Sequence, residues 1–329
     1  MNQLQSLQQT ANKAEEILDN QNEWISRYAG YANEITRNLE TIKEIRRCFQ
    51  EKEPLYVYSS ISKVKSAKKE ELVTFDLRYR GQSVANIKYG KKGLLLKTNE
   101  NTGEFYGIKG GESIDWNSKE AEVFRGGFAK YPSRKKTKKE NEEHRYESAL
   151  LTELSKKEGS DKKLKFIQPV RLATSRFQMP TPFSASSASK GNIKYSAHNG
   201  GGIDLLCRTK HGNKSILNIF ELKDEYEDPF NVLHQAVAYS VFIHKLLRTS
   251  NAGSEIWWKL FGFNKVPDDP LRINAVVALP KFKENDTSFA KKEIIVDGGV
   301  IQLHYFYFTL SKNDKVGSID TSLFSKKAP

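Results

Sequence analysis

The sequence predicts a mixed α/β (α+β) chain, and three changes of pattern along it carry that prediction. Roughly the first 50 residues repeat apolar side chains at heptad spacing, as helices do. Between Leu55 and about Lys130 the period falls to two, as in strands. Beyond that, helical and strand-like stretches alternate. The 329 residues leave room for two domains or for one domain with a large addition. The pattern divides them into a helical, coiled-coil-like segment (1–50), a small β-rich region (51–130) and a larger domain (131–329).

In the first segment Leu4, Ala11, Leu18, Ile25, Ala32 and Leu39 fall on one seven-residue repeat, and Leu7, Ala14, Tyr28, Ile35 and Ile42 on another. Gln21 interrupts the second series inside the polar cluster Asn20, Gln21, Asn22, and Gly30 is a second weak point. A continuous coiled coil would join two copies of the chain as a homodimer through 1–50. A break would fold the helices back on their own chain.

In the β region the run from Leu72 to Tyr79 alternates apolar and polar side chains, and Val84–Tyr89 and Gly93–Lys97 repeat the pattern after Gly81. These read as a small antiparallel sheet with polar turns. Its lysines, Lys88, Lys91, Lys92 and Lys97, suit either a solvated face or a DNA-recognition module. The basic run Lys130–Lys139 has no apolar period and reads as an exposed connector that could also lie along a phosphate backbone.

Composition narrows the function classes. Lys and Arg number 53 against 40 acidic residues, a formal charge of +13, which favours a polyanionic partner such as nucleic acid. No strongly amphipathic basic helix suggests a membrane surface, and no apolar run nears the ~20 residues that span a bilayer. Cys48 and Cys207 alone make neither a disulfide framework nor a four-cysteine zinc site. The start MNQLQSLQQT lacks the features of a signal peptide, so the expectation is a cytoplasmic protein. The six histidines show no HExxH spacing, although His198 could touch a substrate, and Gly200–Gly202 precede a strand, not a phosphate-binding helix.

The chemistry is concentrated in the last domain. Asn141–Lys157 reads as a helix with Tyr146, Leu150, Leu151 and Leu154 on one stripe, and Lys165–Leu172 as a strand. The polar stretch from Thr174 to Gly202 reads as a long loop, functional or disordered. Ile203–Arg208 and Ser215–Lys223 should then pair as a hairpin about the turn Lys210–Asn213. Antiparallel pairing brings Asp204 to the end of the second strand, where Glu221 and Lys223, two apart, share a sheet face. Two carboxylates and an ammonium would meet there: the carboxylates suit Mg²⁺, and the ammonium suits an attacking water or a phosphate. Asp228 and Pro229 start a helix, cap first and proline second, and Gln235 and Tyr239 lie one turn apart on it. Glu255–Phe261, Arg272–Leu279 and a hairpin over Glu293–Leu310 about Asp297–Gly299 complete the domain.

Asp204, the ELK of Glu221, Leu222 and Lys223, and the QxxxY of Gln235 and Tyr239 resemble the PD-(D/E)XK nuclease superfamily, the last element its RecB-type branch. Ile203 stands where the motif's name-giving proline would be. The resemblance implies a restriction-endonuclease-like mixed central sheet flanked by helices, with Mg²⁺ as cofactor and Mn²⁺ as a substitute. It implies a phosphodiesterase, most readily a deoxyribonuclease of a restriction, repair or phage-defence system. Asp204 and Glu221 would ligate the metal, Lys223 would assist the water, and Gln235 and Tyr239 would orient the phosphate. The family's first-helix glutamate, a further metal ligand, would fall on Glu147, with Glu143 as alternative. RNA as substrate, and a catalytically inactive nuclease fold that binds nucleic acid or serves assembly, are the other readings.

Overall fold

The structure is a computed structural model that describes residues 2–48, 55–59, 61, 71–99, 108, 111–130, 142–157, 161–198, 200–211, 214–267, 269–281 and 286–324. The basic connector expected at Lys130–Lys139 lies outside these, apart from Lys130. The helices are α1 (Gln3–Asn20), α2 (Glu23–Arg37), α3 (Leu39–Cys48), α4 (Lys119–Lys130), α5 (Glu142–Leu154), α6 (Pro229–Arg248) and α7 (Ser254–Leu260). The first strands are β1 (Leu55–Ser59), β2 (Glu71–Tyr79), β3 (Gln82–Gly90), β4 (Gly93–Thr98), β5 (Ser113–Asp115), β6 (Ile167–Pro169), β7 (Arg176–Phe177) and β8 (Met179–Pro180). There follow β9 (Phe183–Ser187), β10 (Asn192–Tyr195), β11 (Gly202–Ile203), β12 (Leu205–His211), β13 (Lys214–Leu222), β14 (Leu271–Pro280), β15 (Glu293–Val296), β16 (Gly299–Leu310) and β17 (Val316–Thr321). The protein is thus mixed α and β, as its pattern predicts.

The chain forms two compact units. The first comprises Met1–Gly30, Ala149–Val170 and Met179–Pro329, the second Tyr31–Ser148 and Arg171–Gln178. No described helix is long and apolar enough to cross a membrane.

The first unit is built on a seven-stranded mixed sheet in the order β15-β16-β14-β13-β12-β6, with β17 also on β16. β13, β14 and β16 run parallel, and α6 lies in the crossover from β13 to β14. Asp228 caps α6, its carboxylate accepting the amide of Phe230 at 2.8 Å, and Pro229 follows it, as the sequence predicts. α6 is buried around nearly its whole circumference because the sheet lies on one side of it and α1 and β9 on another.

The heptad stripe of α1 is used within the chain: Leu7, Ala11, Ala14 and Leu18 are buried and α1 packs on α6. Thr10 meets the His234 ring at 2.6 Å, and Lys245 reaches Asp19 at 2.9 Å. Helix α1 ends at Asn20 and α2 begins at Glu23, so the break expected at Asn20–Asn22 is present. Gln8 also closes the outer strand β15, donating to the carbonyl of Ile295 at 2.7 Å and accepting its amide at 3.0 Å.

The stretch Thr174–Gly202, expected as a loop, instead forms short strands. β9 and β10 make an antiparallel pair, and Met179–Pro180 pairs with Gly202–Ile203. The β9–β10 pair is a local hairpin, whereas the pairing of Met179 with Ile203 joins distant residues that no local period links.

The second unit is a six-stranded sheet in the order β5-β4-β3-β2-β1-β7, antiparallel except where β1 meets β7. Val57, Phe75, Leu77, Ile87 and Leu96 cover one face and pack in one core with Ile42 and Ile45 of α3 and Ala121 and Phe124 of α4. Helix α4 lies within the region read as strands. Its Gly126 and Gly127 are poor helix formers, and its apolar contacts with the sheet stabilise it.

Candidate active site

The hairpin β12–β13 sets the frame. Its register runs from His211↔Lys214 to Leu205↔Phe220, and one further step sets Asp204 across from Glu221. Asp204 lies at the bend where the chain leaves β11, which pairs away with β8, and enters β12. There its side chain, not its backbone, answers the next donor on β13: Oδ2 accepts the amide of Leu222 at 2.8 Å. The carboxylate is thereby fixed beside the strand that carries Glu221 and Lys223.

Glu221 is only 1% exposed. A carboxylate so buried needs a cation or donors to offset lost hydration. Lys223, on the same strand face, donates to Glu221 Oε1 at 3.0 Å and to the Leu222 carbonyl at 3.0 Å. The Lys223 backbone still bonds to Ala278 of β14 at 3.3 Å, so the pair sits at the end of the sheet.

Helix α6 brings the other two predicted residues to the same spot. Gln235 donates to the Tyr239 hydroxyl at 3.4 Å. Burial pushes the Tyr239 hydroxyl up to about 12, and the negative charges of Glu221 and Asp204 act in the same direction. Tyr239 therefore stays a neutral donor next to both carboxylates at physiological pH.

The sequence reading missed the residues that hold Tyr239. Phe183 of β9 stacks on its ring, with centroids 6.1 Å apart and planes at 23°. Gly201 lies directly against the Tyr239 hydroxyl, where an added β-carbon would collide with it, and one on Gly200 would collide with the backbone of Thr181 and Phe183. The Gly201 amide donates to Phe183 O at 2.9 Å and Thr181 Oγ1 at 3.1 Å. The glycine run ahead of Asp204 was the available signal, since glycine marks close backbone approach.

Glu147 lies on α5 within the second unit and is 1% exposed. Arg78 approaches one of its oxygens at 3.9 Å and His144 the other at 3.4 Å. Arg78 is bonded in turn to Asp76 at 2.7 Å and lies over the Tyr58 ring at 4.3 Å. Burial alone would lower the Arg78 guanidinium, yet the charges of Glu147 and Asp76 outweigh it and raise it. Glu143, the alternative, lies one turn earlier on the same helix. His198 is exposed in the first unit. Among the described residues no group of three or more His, Cys, Asp or Glu side chains is arranged to hold a metal ion.

Comparison with protein-family models, with curated proteins and with solved structures gives no match.

Proposed function

We propose that this chain is a divalent-metal-dependent nuclease of the PD-(D/E)XK type that hydrolyses phosphodiester bonds in DNA. The observation that carries this reading is the convergence of five side chains on one end of the central sheet. Asp204 accepts the Leu222 amide next to Glu221, Lys223 bridges Glu221 and the Leu222 carbonyl, and α6 adds Gln235 and Tyr239. The mixed sheet with α6 as its crossover is consistent with a restriction-endonuclease-like core.

The donor set suits a hard divalent cation. Asp204, Glu221 and the Leu222 carbonyl offer only oxygen, and the Lys223 ammonium already lies 3.0 Å from two of these groups. Two carboxylates with a carbonyl suit Mg²⁺, which keeps several of its waters, and Mn²⁺ takes the same donors. Asp204 and Glu221 are the carboxylates that the β12–β13 hairpin supplies, and Glu147, which Arg78 approaches at 3.9 Å and His144 at 3.4 Å, is the further ligand that the resemblance implies. Bound there, the metal would acidify a water and neutralise charge on the phosphate.

The chain's own residues do the rest. Asp204 and Glu221 would hold the cation at the end of the sheet. Lys223 stabilises negative charge on the attacked phosphate. Tyr239, kept protonated, and Gln235 donate hydrogen bonds that orient a phosphate oxygen. The surplus of 53 basic over 40 acidic residues favours a polyanionic substrate. The test is incubation of linear, circular and single-stranded DNA with and without Mg²⁺, for the wild type and for Glu221→Ala and Lys223→Ala. Metal-dependent cutting that either substitution abolishes is expected; wild-type cutting by both variants would defeat the assignment.

A further inference from the structure

The second unit carries its charge unevenly. Between residues 77 and 99 the chain has six cations, Arg78, Arg80, Lys88, Lys91, Lys92 and Lys97, and no carboxylate. Arg78 is committed to Asp76 and Glu147 inside the unit. The four lysines all belong to one hairpin, β3–β4. Its register, Gly90↔Gly93, leaves Lys91 and Lys92 as a two-residue turn.

Both lysines are exposed, and a β-carbon built on Gly93 would meet nothing within 4 Å among the described residues. Gly93 has φ +83°, a conformation that favours glycine and lets the turn close so tightly. Behind the tip, Ile87 and Leu96 pair across the strands and are fully buried in the core beneath α3 and α4. Lys88 and Lys97 follow them by one residue each and so lie on the opposite sheet face, two rows apart, a face that Asp76 of β2 and Asp115 of β5 share. One side of the hairpin is thus anchored by apolar packing, while the tip presents two exposed like charges side by side. Like charges gathered on so small an element repel one another and favour a multiply charged anion over single counterions.

We propose that the β3–β4 hairpin is a phosphate-binding arm that holds duplex DNA through its backbone, without reading sequence. A two-stranded ribbon is a shape that a DNA groove admits, and each lysine at a phosphate releases a bound counterion. The choice of DNA as the polyanion rests on the nuclease reading above.

The experiment is a salt titration of full-length protein on a fluorescent duplex, read by anisotropy in EDTA so that no metal-dependent cutting intervenes. Wild type is compared with Lys91→Ala/Lys92→Ala and with Lys312→Ala/Lys315→Ala, an exposed pair of equal charge in the first unit. Loss of two phosphate contacts should flatten the slope of log K against log salt by about 1.8 in the hairpin variant. Its affinity at low salt should fall about 10-fold or more, and the control pair should match wild type. An unchanged slope in the hairpin variant, an equal change in both variants, or no duplex binding by wild type would each overturn the arm. So would tighter, hairpin-dependent binding to phosphatidylserine vesicles than to the duplex. The two readings fail separately. Lys223-dependent cutting with a hairpin-independent slope removes the arm alone, whereas hairpin-dependent binding by a wild type that never cuts removes the nuclease alone.

Discussion

The hydroxyl of Tyr239 rests against the α-carbon of Gly201, so closely that no side chain fits between them. The contact ties the strand leading into Asp204 to the helix that carries Gln235. The Tyr239 ring cannot simply retreat, because it is 2% exposed and stacked on Phe183.

Gly201→Ala should therefore displace the hydroxyl. Overpacking of this kind costs about 1–3 kcal/mol of stability, and kcat for DNA cleavage should fall more than KM rises. Thermal melts and steady-state kinetics check both. Adding Tyr239→Phe removes the colliding oxygen, so the double variant should be more stable than Gly201→Ala alone. Strictly additive losses would contradict the contact.

Asp204 fixes the Leu222 amide and, in the proposed function, also holds the metal, and two substitutions divide these roles. Asparagine keeps an oxygen that can accept the Leu222 amide, so Asp204→Asn should unfold in urea near the wild-type midpoint. Asp204→Ala leaves that amide without its 2.8 Å partner and should lose about 1–3 kcal/mol. Both should lose metal-dependent cleavage, by about 100-fold or more, since both remove the negative charge.

Lys223→Ala removes the ammonium from a carboxylate that is 1% exposed. Stranding a buried charge costs several kcal/mol, and the partial exposure of Lys223 reduces this to about 1–3 kcal/mol. Glu221→Gln/Lys223→Ala should recover much of that stability in denaturant unfolding yet remain inactive. A double variant no more stable than Lys223→Ala would show that the pair is not coupled.

His244 sets an acid limit on stability. Burial, aided by the nearby charge of Arg248, lowers its imidazolium to about 4. Below about pH 6.5 the unfolded chain takes up a proton that the folded chain refuses until about pH 4. Stability should therefore fall as pH drops through this window, by up to about 3 kcal/mol, and level off below it. His244→Gln should flatten that limb when urea midpoints are measured against pH.

Much of the site was legible in the sequence because its determinants are local. Period-two runs on either side of a polar turn predict β12 and β13, and antiparallel register then carries Asp204 to Glu221. Asp228 and Pro229 mark the start of α6 because cap and proline act within one turn. The clamp on Tyr239 was not legible. Phe183, Thr181 and Gly201 lie in a polar stretch punctuated by Pro180 and Pro182, whose two-residue strands pair across more than 20 positions, Met179 with Ile203. Such pairing leaves no period to read. Helix α4 was missed because its glycines oppose helix formation, and burial of Ala121 and Phe124 overrides that preference. The surroundings of Glu147 are tertiary as well, since Arg78 lies 69 positions away in the chain.

Gln8 has a consequence for how the molecule meets its neighbours. An outer strand with open amides and carbonyls invites a strand from another molecule to extend the sheet. Here one glutamine engages both backbone groups of Ile295, whose side chain is 60% exposed. The helix that carries it thus serves as a guard against edge-to-edge polymerisation. Gln8→Ala should leave the fold intact while light scattering rises faster in concentrated, warmed samples.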